Sequence, residues 1–120
     1  MIAESTFASS DLYKFVTIEA TGRVAIGAST GGQVYGTLLS QTYSTSTGAN
    51  EAVTVGLLSG KGKVYMAGTT DAAGNQVAAS SKGFGIAPTT NAASLGIIVD
   101  GSSGSTGRIV TVAFGPDYNL

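Results

Sequence analysis

The feature that most constrains this chain is a phrase written three times: Val16-Thr17-Ile18 in "KFVTIEA", Val53-Thr54-Val55 in "EAVTVGLL" and Val110-Thr111-Val112 in "RIVTVAF". β-Branched residues in alternation suit a pleated strand, whose side chains point to opposite faces with a period of two. The pattern predicts Val or Ile inward and Thr17, Thr54 and Thr111 outward.

The echo extends beyond the triplets. Tyr35-Gly36-Thr37-Leu38-Leu39 lines up with Leu95-Gly96-Ile97-Ile98-Val99, and the same offset pairs Ile26 with Ile86, Val24 with Phe84 and Thr30 with Thr90. Downstream, "STG" at 46–48 matches "STG" at 105–107, and each leads into a V-T-V strand. A chain that repeats its parts in order predicts two related β units, roughly 22–57 and 83–114, joined by a "GKGKVYMAG" hairpin and "QVAAS". Two copies are too few for a solenoid, which generally needs three or more, so a barrel or sandwich round one core is expected. Gly36 and Gly96, each mid-strand, read as bends at matching corners.

Composition points the same way. Charged residues make up 11% of the chain while Gly supplies 18 positions. Gly costs about 1 kcal/mol per helix position relative to Ala, so long helices are disfavoured. Short β-like runs fall at 14–20, 23–28, 33–40, 51–58, 63–67, 76–79, 84–87, 94–100 and 108–114. Between them lie "TG", "STGG", "STSTGAN", "SGKG", "TTDAAGN" and "DGSSGSTG", whose Gly, Asn and Asp suit tight turns between antiparallel neighbours. The expected fold is all-β, a compact antiparallel β-barrel or β-sandwich-like domain over 14–114, with a C-terminal tail at 115–120.

Residues 1–13 are different. Their large apolar residues, Ile2, Phe7, Leu12 and Tyr13, suit neither a helical stripe nor strand alternation. An extended arm is predicted, one that buries too little apolar surface to offset the entropy of ordering and is fixed only by a partner.

Length and charge set further bounds. The chain has 120 residues and a formal net charge of -1, which suits one domain. No apolar run is long enough to span a bilayer and "MIAESTFASS" lacks the pattern of a secretory signal, so a soluble, unprocessed chain with no membrane partner is expected. Cysteine is absent, removing disulfides and thiolate sites. The six Lys and Arg are spread out, so no nucleic-acid partner is expected.

Chemistry is poorly supplied. There is no histidine, the commonest proton-transfer side chain near neutral pH. Glu4, Asp11, Glu19, Glu51, Asp71, Asp100 and Asp117 are scattered, and no pair has a spacing that implies a shared catalytic cleft. "TTDAAGNQ" has Asp71 and Asn75 but lacks the clustered oxygen ligands of a calcium loop, and reads as a Gly74-Asn75 turn. "GKGK" and "GFG" complete no phosphate-binding motif, and no serine sits in a G-x-S-x-G elbow. Phe15, Tyr35, Tyr43, Tyr65, Phe84, Phe114 and Tyr118 lack a basic groove and read as core. The expectation is a non-enzyme without cofactor, metal or small-molecule substrate.

From Lys14 onward the chain resembles the capsid cement, or head decoration, proteins of tailed bacteriophages. The resemblance lies in the order and spacing of Val53–Val55, Gly62–Tyr65, Gly74–Ala79, Gly85–Ala87, Ala93–Val99 and Val110–Val112. It implies a β-tulip-like fold and a protein on the outer surface of the expanded virion head, made in the host cytoplasm. It also implies a homotrimer that clamps neighbouring copies of the major capsid protein against internal genome pressure. The arm and the Ser/Thr-rich loop at 41–50 match no motif. If the arm contributes a strand to a capsid edge, Ile2, Phe7, Leu12 and Tyr13 are the capsid-binding candidates. The alternative is a fibre or adhesin-type domain that binds a host-surface glycan through Ser/Thr/Asn loops, with Tyr43 and Tyr118 as flat faces.

Overall fold

In a computed structural model, described for residues 1–27, 34–42, 49–67, 72–89, 93–101 and 108–115, the chain is all-β. Among the described residues nine strands follow one another: β1 (Phe15–Ile18), β2 (Val24–Ile26), β3 (Val34–Leu38), β4 (Val55–Leu57), β5 (Lys61–Met66), β6 (Gln76–Ala79), β7 (Gly85–Ile86), β8 (Gly96–Asp100) and β9 (Arg108–Phe114). Each lies in or overlaps one of the nine runs expected from the sequence. Apart from a 3-10 turn at Ser9–Asp11, the described residues contain no helix.

The strands form two bodies. One is a four-stranded sheet in the order β2-β1-β3-β4; the other is a closed barrel in the order β5-β7-β6-β8-β9. Remove β5, and the barrel reads β7-β6-β8-β9, the same connectivity as the sheet. Between these strands pairing is antiparallel except for the parallel contact of Met66 with Gly85.

The equivalence reaches individual hydrogen bonds. The Glu19 N–H donates to the Arg23 carbonyl as Ser80 donates to Phe84, and Gly22 donates to Glu19 as Gly83 donates to Ser80. Gly22 and Gly83 both take positive φ, 83° and 86°. In strand register, Val16 opposes Gly36 as Val77 opposes Gly96, and Leu38 opposes Val55 as Ile98 opposes Val112. The repeated V-T-V at 53–55 and 110–112 and the repeated glycines at 36 and 96 are therefore equivalent positions. One alignment needs correcting by a residue: Val24 corresponds to Gly85 and Ala25 to Ile86, because Ile18 opposes Val24 and Ala79 opposes Gly85. The matches of Thr30 with Thr90 and of the two "STG" triplets lie outside the described residues.

Gly36 and Gly96 are required for one shared reason. A Cβ at Gly36 would fall on the Gly56 carbonyl oxygen and within 2.8 Å of Val55 Cγ1. At Gly96 it would fall on the Ala113 carbonyl oxygen and within 2.9 Å of Val112 Cγ1.

The interior departs from the single core expected. Phe15, Val64, Met66, Val77, Ala79, Ile98, Val110, Val112 and Phe114 fill the barrel. Ala3, Phe7, Val16, Val24, Leu38 and Val53 pack against the sheet. Successive residues of β1 serve opposite sides: Phe15 enters the barrel core and Val16 the sheet core. Val34 and Leu58 also reach the barrel core, so the sheet has apolar contacts on both faces. This explains why Thr17, expected outward, is 3% exposed while Thr54 faces solvent. The units are further joined by the Phe15 N–H donating to Gly83, Gly27 to Phe15 and Tyr65 to Tyr13.

Two further expectations do not hold. "GKGKVYMAG" is no hairpin: Lys61–Met66 is a strand that seals the barrel by pairing along β9. Nor do residues 1–13 form a free arm. Ile2 bridges Ala52 antiparallel and Ala3 bridges Val24 in parallel, as β5 stands antiparallel to β9 and parallel to β7. The Glu4 N–H donates to Val24 as Ala67 donates to Gly85. The first residues are thus the counterpart of β5, and two buried side chains, Ala3 and Phe7, anchor them.

Candidate functional site

The four candidate contact residues have separate fates. Ile2 is 41% exposed and available to a partner. Phe7 is 1% exposed and sits in the sheet core. Its N–H donates to Thr42 Oγ1 at 3.1 Å, its carbonyl accepts from the Thr42 N–H at 3.0 Å, and Thr42 itself is fully buried. Phe7 is therefore corrected from a contact residue to a core residue, because an aromatic side chain closing a small core gains roughly 2–3 kcal/mol by staying there.

Leu12 and Tyr13 are half-buried in a tight turn. Leu12 has φ -59° and ψ 140°, and Tyr13 has φ 67°, the geometry of a type II turn. The Lys14 N–H closes it on the Asp11 carbonyl at 3.2 Å, as Asn75 closes on Ala72 in the second unit at 3.2 Å. Around this turn Lys14 Nζ bonds Asp11 Oδ1 at 3.0 Å and lies 4.8 Å from the Phe84 ring centre and 5.7 Å from that of Tyr65. Lys63 Nζ lies 5.7 Å from the Tyr13 ring centre. These cation–ring contacts fasten the first unit to the barrel. Tyr13 thus belongs to the seam between the units, and Leu12 precedes it in the same turn.

The surface with the strongest binding character lies along residues 52–57. Met1 and Ile2, 40% and 41% exposed, sit at one end: the Val53 N–H donates to the Met1 carbonyl at 2.8 Å, and Ile2 bridges Ala52. Leu39, 45% exposed, lies over Gly56, where an added Cβ would meet its Cδ1 at 3.1 Å. Leu57, at 59%, is the most exposed of the large apolar residues described. Exposed large apolar residues spaced along one strand edge, Leu57 on the Val55 face and Leu39 and Ile2 on the opposite face, mark a candidate contact edge. Of these, Ile2 was among the residues expected to meet a partner; Leu39 and Leu57 were not, because their exposure follows from the long-range pairing that leaves β4 at the end of the sheet.

Elsewhere among the described residues, acidic side chains make local contacts. Glu4 Oε2 accepts from the Thr21 hydroxyl at 3.1 Å and lies 4.0 Å from Arg23. No cluster of three or more potential metal ligands occurs there. Tyr43, Asp71, Asp117 and Tyr118, and with the tyrosines the glycan-binding faces, lie outside the described residues. No described helix is long and apolar enough to cross a membrane. Comparison with protein-family models, curated proteins and solved structures returns no match for this chain.

Proposed function

We propose that this chain is a capsid decoration protein of a tailed bacteriophage, a homotrimer that binds major capsid protein on the outside of the expanded head and braces adjoining capsomers. The observation that carries the reading is the set of exposed apolar side chains, Met1, Ile2, Leu39 and Leu57, along residues 52–57 of a body whose two cores are already filled. Burying such side chains against a flat protein lattice yields about 25 cal/mol for each Å² of apolar surface removed from water. Trimerisation multiplies a weak contact, because the second and third sites then bind at high effective concentration. The barrel supports the reading mechanically, since a closed ring of strands has no edge from which to open. The ordered succession of Gly-rich β elements supports it from the sequence side.

The test is co-sedimentation with expanded heads of the phage that encodes the chain. Wild-type protein is expected to pellet with heads and saturate. Leu57→Asp and Ile2→Asp, both at exposed positions, are expected to keep the fold by circular dichroism and weaken binding tenfold or more. Wild-type protein that stays in the supernatant at saturating heads overturns the proposal. Deleting 1–10 is the wrong experiment, because it removes Ala3 and Phe7 from a core.

A further inference from the structure

We propose that the outer edge of β4 is an acceptor for one extended strand of a partner protein, running antiparallel to Val55–Leu57; with the function proposed above, that partner is the major capsid protein. The argument rests on the internal duplication. In an antiparallel ladder, alternate residues direct their N–H and C=O groups to opposite neighbours. The Leu39 N–H donates to Thr54, and β3 directs Leu38 toward the 13–14 turn, so β4 engages β3 through Thr54 and Gly56. Val55 and Leu57 consequently point their groups away from β3. The Leu57 carbonyl accepts from Ser59 at 2.9 Å, which leaves the Val55 N–H, the Val55 carbonyl and the Leu57 N–H with no partner among the described residues.

The equivalent groups in the second unit are occupied. Val112 and Phe114 stand where Val55 and Leu57 do, and β5 lies along them: Gly62 opposes Val112 and the Phe114 N–H donates to Gly60 at 2.8 Å. In the first unit the strand equivalent to β5 is residues 1–4, with Met1 at the Val64 position, and its cover stops at Val53. Among the described residues, nothing lies along β4 where residues 60–63 lie along β9.

The duplicate also specifies the visitor. In the barrel, the residue opposite Val112 must be glycine, because a Cβ on Gly62 would come within 2.7 Å of the Phe114 ring. Phe114 is 8% exposed, whereas its counterpart Leu57 is 59% exposed and shorter. The visiting strand therefore carries an apolar side chain, of the size of Val or Ile, opposite Val55, where it covers Leu57. Main-chain bonds supply affinity and that one side chain supplies selectivity.

A fused visitor tests this. Gly-Lys-Val-Lys placed ahead of Met1 copies residues 60–63 with Val in place of Gly62; Pro-Gly-Pro-Gly is the control, because its prolines stand at the positions of Gly60 and Gly62, which face the β4 edge, and bring no N–H there. Hydrogen exchange at the Val55 and Leu57 amides is expected to slow tenfold or more with the first extension and to stay at the wild-type rate with the second. Binding to expanded heads is expected to fall tenfold or more with the first extension alone. Unchanged exchange at both amides overturns the acceptor edge. Slowed exchange with undiminished head binding overturns the capsid strand as its occupant and leaves the proposed function standing. Wild-type protein that ignores heads overturns the proposed function and this occupant together, while the amides still report whether the edge accepts a strand.

Discussion

The two units share one connectivity and differ in closure. The second is sealed because a six-residue strand, β5, runs the length of β9. Among the described residues, the first has the short contacts of Met1 to Glu4 in that place, and β4 is an edge. Closure satisfies backbone groups internally and makes the barrel the rigid half; an open edge leaves groups for another chain. A duplicated β unit has in this way yielded one copy suited to stiffness and one suited to contact.

The largest effect should come from the residue that couples the units. Phe15 belongs by chain order to the sheet yet is completely buried in the barrel core. Phe15→Ala is expected to cost about 4 kcal/mol, the usual range for a buried Phe being roughly 3–5. Urea unfolding should remain a single transition seen equally by probes in both units. Barrel probes unaffected by the change would show that the units are independent.

The paired glycines sharpen the comparison. Alanine at either position places a Cβ on a neighbouring carbonyl oxygen. At Gly36 the obstructing strand is β4, which is held on one side and can move outward. At Gly96 it is β9, held between β8 and β5. Gly96→Ala is expected to destabilise by about 3 kcal/mol, at the upper end of overpacking penalties, and Gly36→Ala by about half of that. Equal losses in denaturant titrations would mean that the open edge gives the sheet no freedom to adjust.

Much of this was legible in the sequence, and the exceptions have physical causes. The strands were readable because V-T-V runs and Gly-rich turns are local signals. The pairing of Gly36 with Gly96 was readable because both positions face a carbonyl that excludes a side chain. The role of the first residues was not, because Ile2 with Ala52 and Ala3 with Val24 are distant pairings that leave no periodic trace in "MIAESTF". Offset alone misled at β2 and β7, since the strand offset is 61 residues there, from Val24 to Gly85, but 60 at Gly36 and Gly96. Of the exposed apolar residues along 52–57, only Ile2 was singled out from the sequence, because exposure of Leu39 and Leu57 follows from an edge that composition does not reveal.

Whether the N-terminal segment is structural can be tested without deleting it. Thr42→Val keeps the shape but leaves the buried Phe7 N–H without its acceptor, Thr42 Oγ1. An unsatisfied buried amide costs about 1–3 kcal/mol, so a loss of about 2 is expected, with faster exchange at the Ala3 and Glu4 amides. A neutral substitution would restore the picture of an arm loosely laid on the body.

The smallest effect concerns the duplicated turn, where the units solve one backbone problem differently. Gly74 has φ 94° and Tyr13, its counterpart, has φ 67°. Both N–H groups reach the following strand, Gly74 to Ile98 at 2.7 Å and Tyr13 to Leu38 at 2.8 Å. A Cβ on Gly74 meets nothing within 4 Å, so Gly74→Ala probes the backbone alone. It should cost about 1 kcal/mol, the expected penalty for a side chain in the left-handed region. The first unit already bears that cost at Tyr13, whose carbonyl accepts from Tyr65 and whose ring meets Lys63. If Gly74→Ala proves neutral in thermal unfolding, the turn itself tolerates a side chain, and the seam is not needed to explain why the first unit can do without glycine.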